Sequence, residues 1–350
     1  MKILLYGDDS PGSGGWCYAE TLREMGHQVE HLGDGFALGH YRTSLPHRVY
    51  RNLFRDVLPA DLRRHLSPVF ERAKCLRPDL VIVLKGLLLH REHVQQLRML
   101  SQWVCNINHD DFFSRNRNNW SPQQRLSVSA YDFIFTTREV NVAELRPFTR
   151  RVGFFPFAYY PRIHRVVQSP PAEVTRWNRD IVFVGTYERP RAALLEQLIT
   201  AIPCNLAIHG AQWHKISRSS PLRPHIESTG LHFDDLCKAL GHAKISLGFL
   251  RKENRDDYTQ RTFEIPACGG VLLAERTPRH MQYYQEGVEA EFFDPTSPTE
   301  LFEKAAKLLD NAVRRERIRK AGRAAVLSQR HTYRDRLEHL LTVYEQPLPA

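Results

Sequence analysis

The chain has 350 residues, of which 42% are hydrophobic and 25% charged, and its formal net charge is +10. This length exceeds one typical hydrophobic core and predicts two domains. No apolar run approaches the ~18 residues that cross a bilayer, and the start, MKILLYGDDSPGSGG, lacks the long apolar run of a signal peptide. The six cysteines, which have no CxxC or metal-like spacing, predict reduced thiols in a cytoplasmic protein.

The excess of lysine and arginine favours anionic partners, namely phosphorylated substrates, anionic lipid or nucleic acid. The basic residues are spread along the chain and no nucleic-acid-reading motif is present, so nucleic acid is not expected as a partner. The basic helical segments between Arg314 and Arg336 predict either a solvated face or a surface that contacts anionic lipid at the inner face of a membrane.

The first 165 residues alternate short apolar runs with helical patterns, and this alternation predicts a doubly wound parallel sheet. Strands are expected at 2–7, 28–33, 80–84, 103–108, 133–136 and within 151–161. After a proline-containing segment at 168–179, interpreted as a linker, the same pattern restarts, with strands at 180–184, 204–209, 245–250 and 269–276. Ligands of such sheets bind beyond the carboxyl ends of the strands, and two such domains facing each other place the ligand in a cleft.

The segment 255–270, RDDYTQRTFEIPACGG, places many charges directly before a Gly-Gly pair. It predicts a short helix from Thr262 to Ala267 that ends at the glycines. The helix start, preceded by Thr259 and Arg261, is an anion cradle, because free N–H groups and a guanidinium both bind phosphate oxygens. Glu264 lies in the first turn, where its carboxylate complements the helix dipole and is able to accept two ribose hydroxyls. These groups together fit a nucleotide.

The strings RDDYTQRTFEIPACGGVLLAER, GVEAEFF and HTYRDRL resemble the CgeB-like glycosyltransferases, a branch of the GT-B group similar to the group-1 family. The resemblance covers the second half well, whereas the first half matches in pattern only. It implies an α/β GT-B fold with two facing Rossmann-like domains and a cleft. The implied domains are 1–165 for the acceptor, 178–330 for the donor, and 331–350 as a helix that crosses back to the first domain. Residues 36–60, rich in arginine, histidine and proline, are interpreted as an acceptor-side insertion.

The activity implied by the resemblance is transfer of a sugar, of the hexosyl class, from a nucleotide-diphosphate sugar to a hydroxyl acceptor. A UDP-sugar is favoured as donor. The acceptor is a glycan, a lipid-linked molecule or a small molecule used in cell-envelope or surface glycan assembly. The resemblance also implies retention of configuration and no requirement for a metal or other cofactor. Two alternatives stay open: a non-catalytic GT-B module that binds nucleotide or glycan, and a nucleotide-sugar epimerase.

The expected donor-binding residues follow strands of the second half. Gly185, Thr186 and Arg189 follow one strand, where a glycine permits close approach of a diphosphate, and Gly210 follows the next, near Trp213 as a stacking candidate. The string 255–264 adds Tyr258, Thr259, Arg261 and Glu264. Related group-1 enzymes carry two acidic residues eight apart; Glu264 matches the ribose-binding one. Asp256 stands at the position near the donor sugar, where Asp replaces Glu, and Asp257 is the alternative.

The expected acceptor-side residues follow two strands of the first half. His109, Asp110 and Asp111 come after one strand, in NINHDDFF, and the catalytic candidates are His109, Asp110 and Asp256. In an inverting enzyme one of the first group takes the acceptor proton, and in a retaining enzyme it orients the acceptor. Helix capping and a structural histidine are the competing interpretations. Gly14 and Gly15 in DDSPGSGG form a glycine loop that lacks the GxGxxG spacing of a dinucleotide site.

Overall fold

The computed structural model describes residues 1–34, 57–114 and 119–346, together with residues 46, 49, 50 and 53. Most of the insertion predicted at 36–60 lies outside the described residues. The chain forms two compact units. Unit 1 comprises Met1–Phe157, Lys252–Arg255 and Tyr333–Ala350, and unit 2 comprises Ala158–Arg251 and Asp256–Thr332.

Unit 1 is built on a six-stranded parallel sheet. Its strands are β1 (Lys2–Tyr6), β2 (Gln28–Leu32), β3 (Leu80–Leu84), β4 (Trp103–Asn108), β5 (Phe133–Thr136) and β6 (Val152–Phe154), in the spatial order β2-β1-β3-β4-β5-β6. Its helices are α1 (Gly14–Glu24), α2 (Pro59–Leu76), α3 (Arg91–Leu100), α4 (Pro122–Ser127), α5 (Glu139–Leu145) and, at the end of the chain, α13 (Tyr333–Glu345). The predicted α/β class is confirmed here.

Strands β1 and β3 of unit 1 are nearly continuous apolar runs, because both faces of a parallel sheet are covered by helices. Leu4, Val81 and Val104 lie side by side across β1, β3 and β4 and are fully buried. Helix α2 covers this face with residues such as Leu66 and Val69. Because all pairs are parallel, the carboxyl ends of these strands lie at one edge of the sheet.

Helix α13 packs on α1 within unit 1. The rings of Tyr18 and Tyr333 meet edge to face with centroids 4.7 Å apart. The guanidinium of Arg336 donates to the carbonyl of Pro156 at 3.0 Å, and Tyr344 donates to Gln102 at 3.3 Å. The last helix of the chain thus completes the fold of unit 1.

Unit 2 contains a second six-stranded parallel sheet. Its strands are β7 (Ile181–Val184), β8 (Leu206–His209), β9 (Ile226–Ser228), β10 (Ile245–Gly248), β11 (Leu272–Glu275) and β12 (Glu291–Phe293), in the order β12-β11-β10-β7-β8-β9. Its helices are α6 (Pro171–Trp177), α7 (Arg189–Ala201), α8 (Phe233–His242), α9 (Arg261–Ala267), α10 (Pro278–Tyr283), α11 (Pro298–Asp310) and α12 (Ala312–Ser328). Helix α6 lies in the segment interpreted as a linker, and the Glu173 carboxylate on it pairs with Lys238 of α8 at 2.7 Å.

Helix α12 uses several of its arginines inside unit 2. Arg314 pairs with the buried carboxylate of Glu291, with Nε 3.1 Å from Oε1. Arg319 donates to the carbonyls of Gly241 and Gly269, and to that of Ala243 at 3.2 Å. Because Arg314 and Arg319 are engaged in these contacts, fewer positive charges of α12 are available to contact anionic lipid than the sequence predicts. In the part of the chain that the structure describes, no helix is long and apolar enough to cross a membrane.

The carbonyls bound by Arg319 end α8 and α9, where a cation complements the helix dipole. We expect Arg319→Ala to lower the free energy of unfolding by roughly 1–3 kcal/mol, because it leaves these carbonyls without their donor. Arg317→Ala, on the same helix but exposed, is the control and should be neutral. Urea denaturation of both variants measures the difference, and equal effects would contradict the assignment.

Candidate active site

The candidate donor edge of unit 2 lies at the carboxyl ends of β7 and β10. These strands are neighbours, yet the chain continues from β7 to β8 on one side and reaches β10, β11 and β12 on the other. Such a topological switch point leaves a crevice beyond the strand ends, which is where open parallel sheets bind ligands.

The loops after β7 and β8 each begin with a glycine for a packing reason. Gly210 has φ +148°, and a Cβ on it would lie 2.0 Å from the carbonyl oxygen of Gly185. A Cβ on Gly185 would meet the Phe183 ring at 2.7 Å. The indole of Trp213 is buried and donates to the Gly185 carbonyl at 2.9 Å. Trp213 therefore packs beneath the loop rather than offering an open stacking face.

The two arginines of ERPR have different environments. Arg189, the predicted phosphate ligand, is exposed at the start of α7. Arg191 is buried and donates to the carbonyls of Thr186 at 3.3 Å and Phe249 at 3.0 Å. Burial lowers the pKa of Arg191, which the charge of Glu188 opposes. Arg191 thus fixes the strand-end loops after β7 and β10, a role that the sequence analysis missed because neither arginine is distinguished by its spacing.

A chain of hydrogen bonds shapes the loop before α9. The Nδ1–H of His280 donates to the Glu275 carbonyl at 2.7 Å, and its Nε2 accepts the hydroxyl of Thr262 at 2.9 Å. The Thr262 oxygen in turn accepts the N–H of Thr259 at 3.1 Å. Burial lowers the pKa of His280 to about 4, so the ring is neutral and this donor-acceptor order is maintained. The predicted helix start is confirmed to within one residue, at Arg261.

Glu264 is buried, with 2% of its side chain exposed, and its two carboxylate oxygens have different partners. Arg261 binds Oε2, and the Nε2 of His164 lies 3.1 Å from Oε1. The Nδ1 of His164 accepts the N–H of Tyr160 at 2.9 Å, so the proton of the neutral ring is on Nε2 and is donated to Glu264. We call these three residues the carboxylate cluster.

The carboxylate cluster reaches the strand ends through Arg261, whose Nε donates to the Val184 carbonyl at the end of β7 at 3.2 Å. Burial lowers the pKa of Arg261 to about 10, so the guanidinium stays charged at neutral pH. Burial, helped by the charge of Arg261, lowers the pKa of His164 to about 3. The cluster is therefore a cation and an anion oriented by a neutral histidine. No local pattern in the sequence identified His164.

The remaining residues of the string 255–260 have unequal exposure. The Tyr258 ring is buried against Phe263 and Tyr283, so it packs the loop in place. Asp256 is half-buried and donates its N–H to the Arg251 carbonyl at 3.2 Å. The Asp257 carbonyl accepts the Thr277 hydroxyl at 2.6 Å. Both aspartates therefore belong to an ordered loop.

The loop after β4 in unit 1 carries His109 and Asp110. Burial lowers the pKa of His109 to about 4, opposed by Asp110 and assisted by the charges of Arg138 and Lys85. Its Nε2 lies 3.1 Å from the Tyr18 hydroxyl, and its carbonyl accepts from Arg138 at 2.6 Å. A pKa this low makes the ring a weak base, so His109 is neutral at pH 7 and acts as a hydrogen-bonding group instead of a proton acceptor. The Asp110 carboxylate pairs with Lys85 at 2.6 Å.

Asp111 has a structural partner that lies 144 residues away in the sequence. Its buried carboxylate pairs with Arg255, at 2.6 Å from Nε and 2.7 Å from Nη2, and Arg255 also binds Glu144 at 2.7 Å. Burial alone would raise the pKa of Asp111, but the hydrogen bonds from Arg255 and Asn141 hold it below its ordinary value. Arg255, the first residue of the charged string, therefore belongs to unit 1 and not to a phosphate grip.

Gly14 and Gly15 begin α1 beside the same edge. A Cβ on Gly15 would lie 2.1 Å from the Asp8 carbonyl and 2.9 Å from the Leu84 side chain, whereas one on Gly14 would make ordinary contacts with Tyr333 and His109.

Among the described residues, His90, Glu92 and His93 form a group close enough to hold a metal ion. The Nδ1 of His93 already accepts the N–H of His90 at 3.1 Å. In the neutral ring the proton is then on Nε2, and the lone pair of Nδ1, which a metal ion would need, is already used.

Comparisons with known proteins identify the fold. HepE from Anabaena, solved in complex with UDP-glucose, matches with a TM-score of 0.68 and 11% identity over 99% of this chain and 100% of that chain. Sucrose-phosphate synthase from Thermosynechococcus elongatus matches with a TM-score of 0.67 and 13% identity over 99% and 98%. The chain has the GT-B fold. Residues 189–342 match the family described as glycosyl transferase-like. No curated protein matches the chain in sequence.

The matched residues contain α9 and the end of β10 but not the end of β7, and they lie in the half of the chain where the sequence resembles glycosyltransferases. Membership of the CgeB-like branch stays a prediction. The described structure brings Gly185, Thr186, Gly210, Arg261 and Glu264 to one edge of unit 2. It brings Gly14, His109 and Asp110 to one edge of unit 1.

Gly15→Ala should destabilise the GT-B chain by roughly 1–3 kcal/mol, because the added methyl overlaps the Asp8 backbone and forces it to shift. Gly14→Ala is the neighbouring control, in which the methyl has room. Chemical denaturation of both variants measures the difference. A Gly15→Ala variant as stable as Gly14→Ala would contradict the close approach.

The free energy of unfolding should fall as the pH is lowered from 7 to 4.5. The pKa values of His164 and His280 are about 3 and about 4 in the folded chain, and an unfolded histidine titrates near ~6.5, so the unfolded chain binds more protons in this window. We expect His164→Gln to reduce this slope and the exposed control His214→Gln to preserve it. Melting temperatures of the wild type and both variants, measured between pH 7 and 4.5, test this prediction. The same dependence of melting temperature on pH in all three proteins would contradict the role of His164.

Proposed function

We propose that the protein is a glycosyltransferase that moves a sugar from a nucleotide-diphosphate sugar, a UDP-sugar first, to a hydroxyl acceptor. The observation that carries the proposal is the carboxylate cluster of Glu264, Arg261 and His164 at the strand-end edge of unit 2. A buried carboxylate beside a charged guanidinium supplies one acceptor for hydroxyls and one cation for phosphate. A nucleoside diphosphate presents both groups, since its ribose carries hydroxyls and its diphosphate carries negative charge.

Donor binding changes the partners within this cluster. The diphosphate competes with Glu264 for Arg261, since a guanidinium binds phosphate oxygens bidentately and the phosphate carries more charge than the carboxylate. Glu264 then accepts the ribose hydroxyls, while the neutral ring of His164 continues to orient Oε1. The loop glycines Gly185 and Gly210 allow close approach of the donor, with Thr186 and Thr259 beside them and Arg189 at the rim.

The reaction proceeds without a metal, because the guanidinium of Arg261 stabilises the leaving diphosphate. Configuration is retained, and a donor phosphate oxygen takes the proton of the acceptor hydroxyl. In unit 1, Asp110 and the neutral ring of His109 orient that hydroxyl. Asp256, in the ordered loop before α9, contacts the donor sugar.

The acceptor belongs to cell-envelope or surface glycan assembly, as a glycan, a lipid-linked molecule or a small hydroxyl compound. The cationic composition and the exposed part of α12 support work in the cytoplasm at an anionic membrane face. HepE, whose fold this chain shares, has been solved with UDP-glucose, which makes UDP-glucose the first donor to test.

Glu264→Gln should lower the affinity for UDP about tenfold or more, since a hydrogen bond to a charged acceptor contributes about 1.5–3 kcal/mol and tenfold corresponds to about 1.4 kcal/mol. Titration calorimetry with UDP and UDP-glucose measures it. The control is Glu291→Gln, which also removes a buried ion-paired carboxylate, at β12. Equal affinity in Glu264→Gln and wild type would refute the ribose assignment.

Turnover assays separate the alternatives. Release of UDP from UDP-glucose together with a glycosylated product supports the transferase. An altered sugar still bound to UDP, formed without an acceptor, indicates an epimerase. Binding without turnover across donors and acceptors indicates a non-catalytic module.

A further inference from the structure

Lys85 directly follows β3 and has a left-handed backbone, with φ +60°, and Gly86 after it has φ +72°. Residues with a Cβ are strained in this region, whereas glycine adopts it freely. A Cβ on Gly86 would meet the Val83 side chain at 2.8 Å, which explains the glycine. No such steric reason accounts for a lysine at position 85, where the backbone is also left-handed.

The surrounding structure fixes this conformation from three directions. The N–H of Lys85 donates to the Ile107 carbonyl at 2.9 Å. Its carbonyl accepts the side-chain amides of Asn106 at 3.2 Å and Gln124 at 2.7 Å, and both amides are buried. Backbone strain that is held in place by buried polar groups is typical of functional positions.

The Lys85 side chain points at Asp110, with Nζ 2.6 Å from Oδ2. The two side chains are 32% and 19% exposed, so solvent screens the pair and its contribution to folding is small. A glycine at position 85 would meet the backbone requirement with less strain. The lysine is therefore not explained by stability.

Position 85 coincides with the topological switch point of unit 1. Strands β1 and β3 are neighbours, and the chain leaves β1 for β2 on the opposite side. The crevice beyond such strand ends is the expected ligand site of this sheet. The loops after β1, β3 and β4 meet there, bringing Lys85 next to Asp110.

We propose that Lys85 is a positioning residue of the transfer reaction, which holds the Asp110 carboxylate in the orientation that receives the acceptor hydroxyl. This inference rests on the proposed function. It assigns a role to a residue that neither the charged string at 255–270 nor the glycine loops indicated. Lys85 acts through Asp110, so the two residues form one functional pair.

The variants Lys85→Gly, Lys85→Met and Lys85→Arg test the pair, with UDP-glucose as donor and water or octyl glucoside as acceptor. We expect Lys85→Gly to melt at or above the wild-type temperature and yet lose at least about tenfold in kcat, with the KM for UDP-glucose and the calorimetric affinity for UDP within about twofold of wild type. Lys85→Met should lose the same activity, and Lys85→Arg should recover part of it.

Arg77 provides a matched control at the other end of β3. It is also a cation with a left-handed backbone, φ +48°, and is exposed at the end of α2. Arg77→Gly should keep or raise the melting temperature and leave kcat unchanged. Asp110→Asn should lose as much kcat as Lys85→Gly, and the double variant should lose no more than either, since both remove the same interaction.

The outcomes separate this inference from the proposed function. Lys85→Gly with wild-type kcat, or with a kcat loss that follows a loss of folded protein, overturns the inference while donor binding by unit 2 stands. Additive losses in the double variant also overturn it. Wild-type protein that binds UDP-glucose without releasing UDP overturns the role of Lys85 in transfer, and protein that binds neither UDP nor UDP-glucose refutes the proposed function itself.

Discussion

Parallel strands end at one edge of their sheet, and this constraint organises both units. The inner strands, among them β3, β4, β7 and β10, are buried along their whole length, so the room for a ligand is expected in the loops beyond the carboxyl ends. In unit 1 the loops after β1, β3 and β4 bring a helix start, Lys85 and Asp110 together. In unit 2 the end of β7 meets Arg261 at the start of α9, and the loops after β8 and β10 are held against the loop after β7 by Gly210 and Arg191.

Buried charge sets a second requirement, because an ion removed from water must be paired or hydrogen-bonded. Glu264 satisfies it with Arg261 and His164, and Asp111 does so with Arg255. Arg191 binds two carbonyls at the ends of neighbouring strands. Each pairing fixes a loop as well as a charge, so the edges are preorganised before any ligand arrives, which lowers the cost of binding.

Neutral histidines connect these loops. His280 and His164 each accept a hydrogen bond at one ring nitrogen and donate at the other, in an order that protonation would destroy. Burial keeps their pKa values at about 4 and about 3, so the order holds at neutral pH. His109 shares this neutral state, with a pKa of about 4. The protein thus uses histidine here mainly for its hydrogen-bond direction.

The positions of ten of the twelve described strands, the glycine stops and the start of α9 could be predicted from the sequence, because apolar runs, Gly-Gly pairs and helix-start residues act over a few positions. The three-residue strands β9 and β12 were not predicted, because so short a run carries no periodic pattern. The same local information indicated Arg261 and Glu264 as neighbours on one turn. It could not indicate His164, since its contact with Glu264 spans 100 residues, or the separation of Arg255 from the rest of its own string. Nor could it distinguish Arg191 from Arg189 or show that Lys85 is left-handed. Those features depend on which strand ends become adjacent, and only the packed tertiary structure decides that.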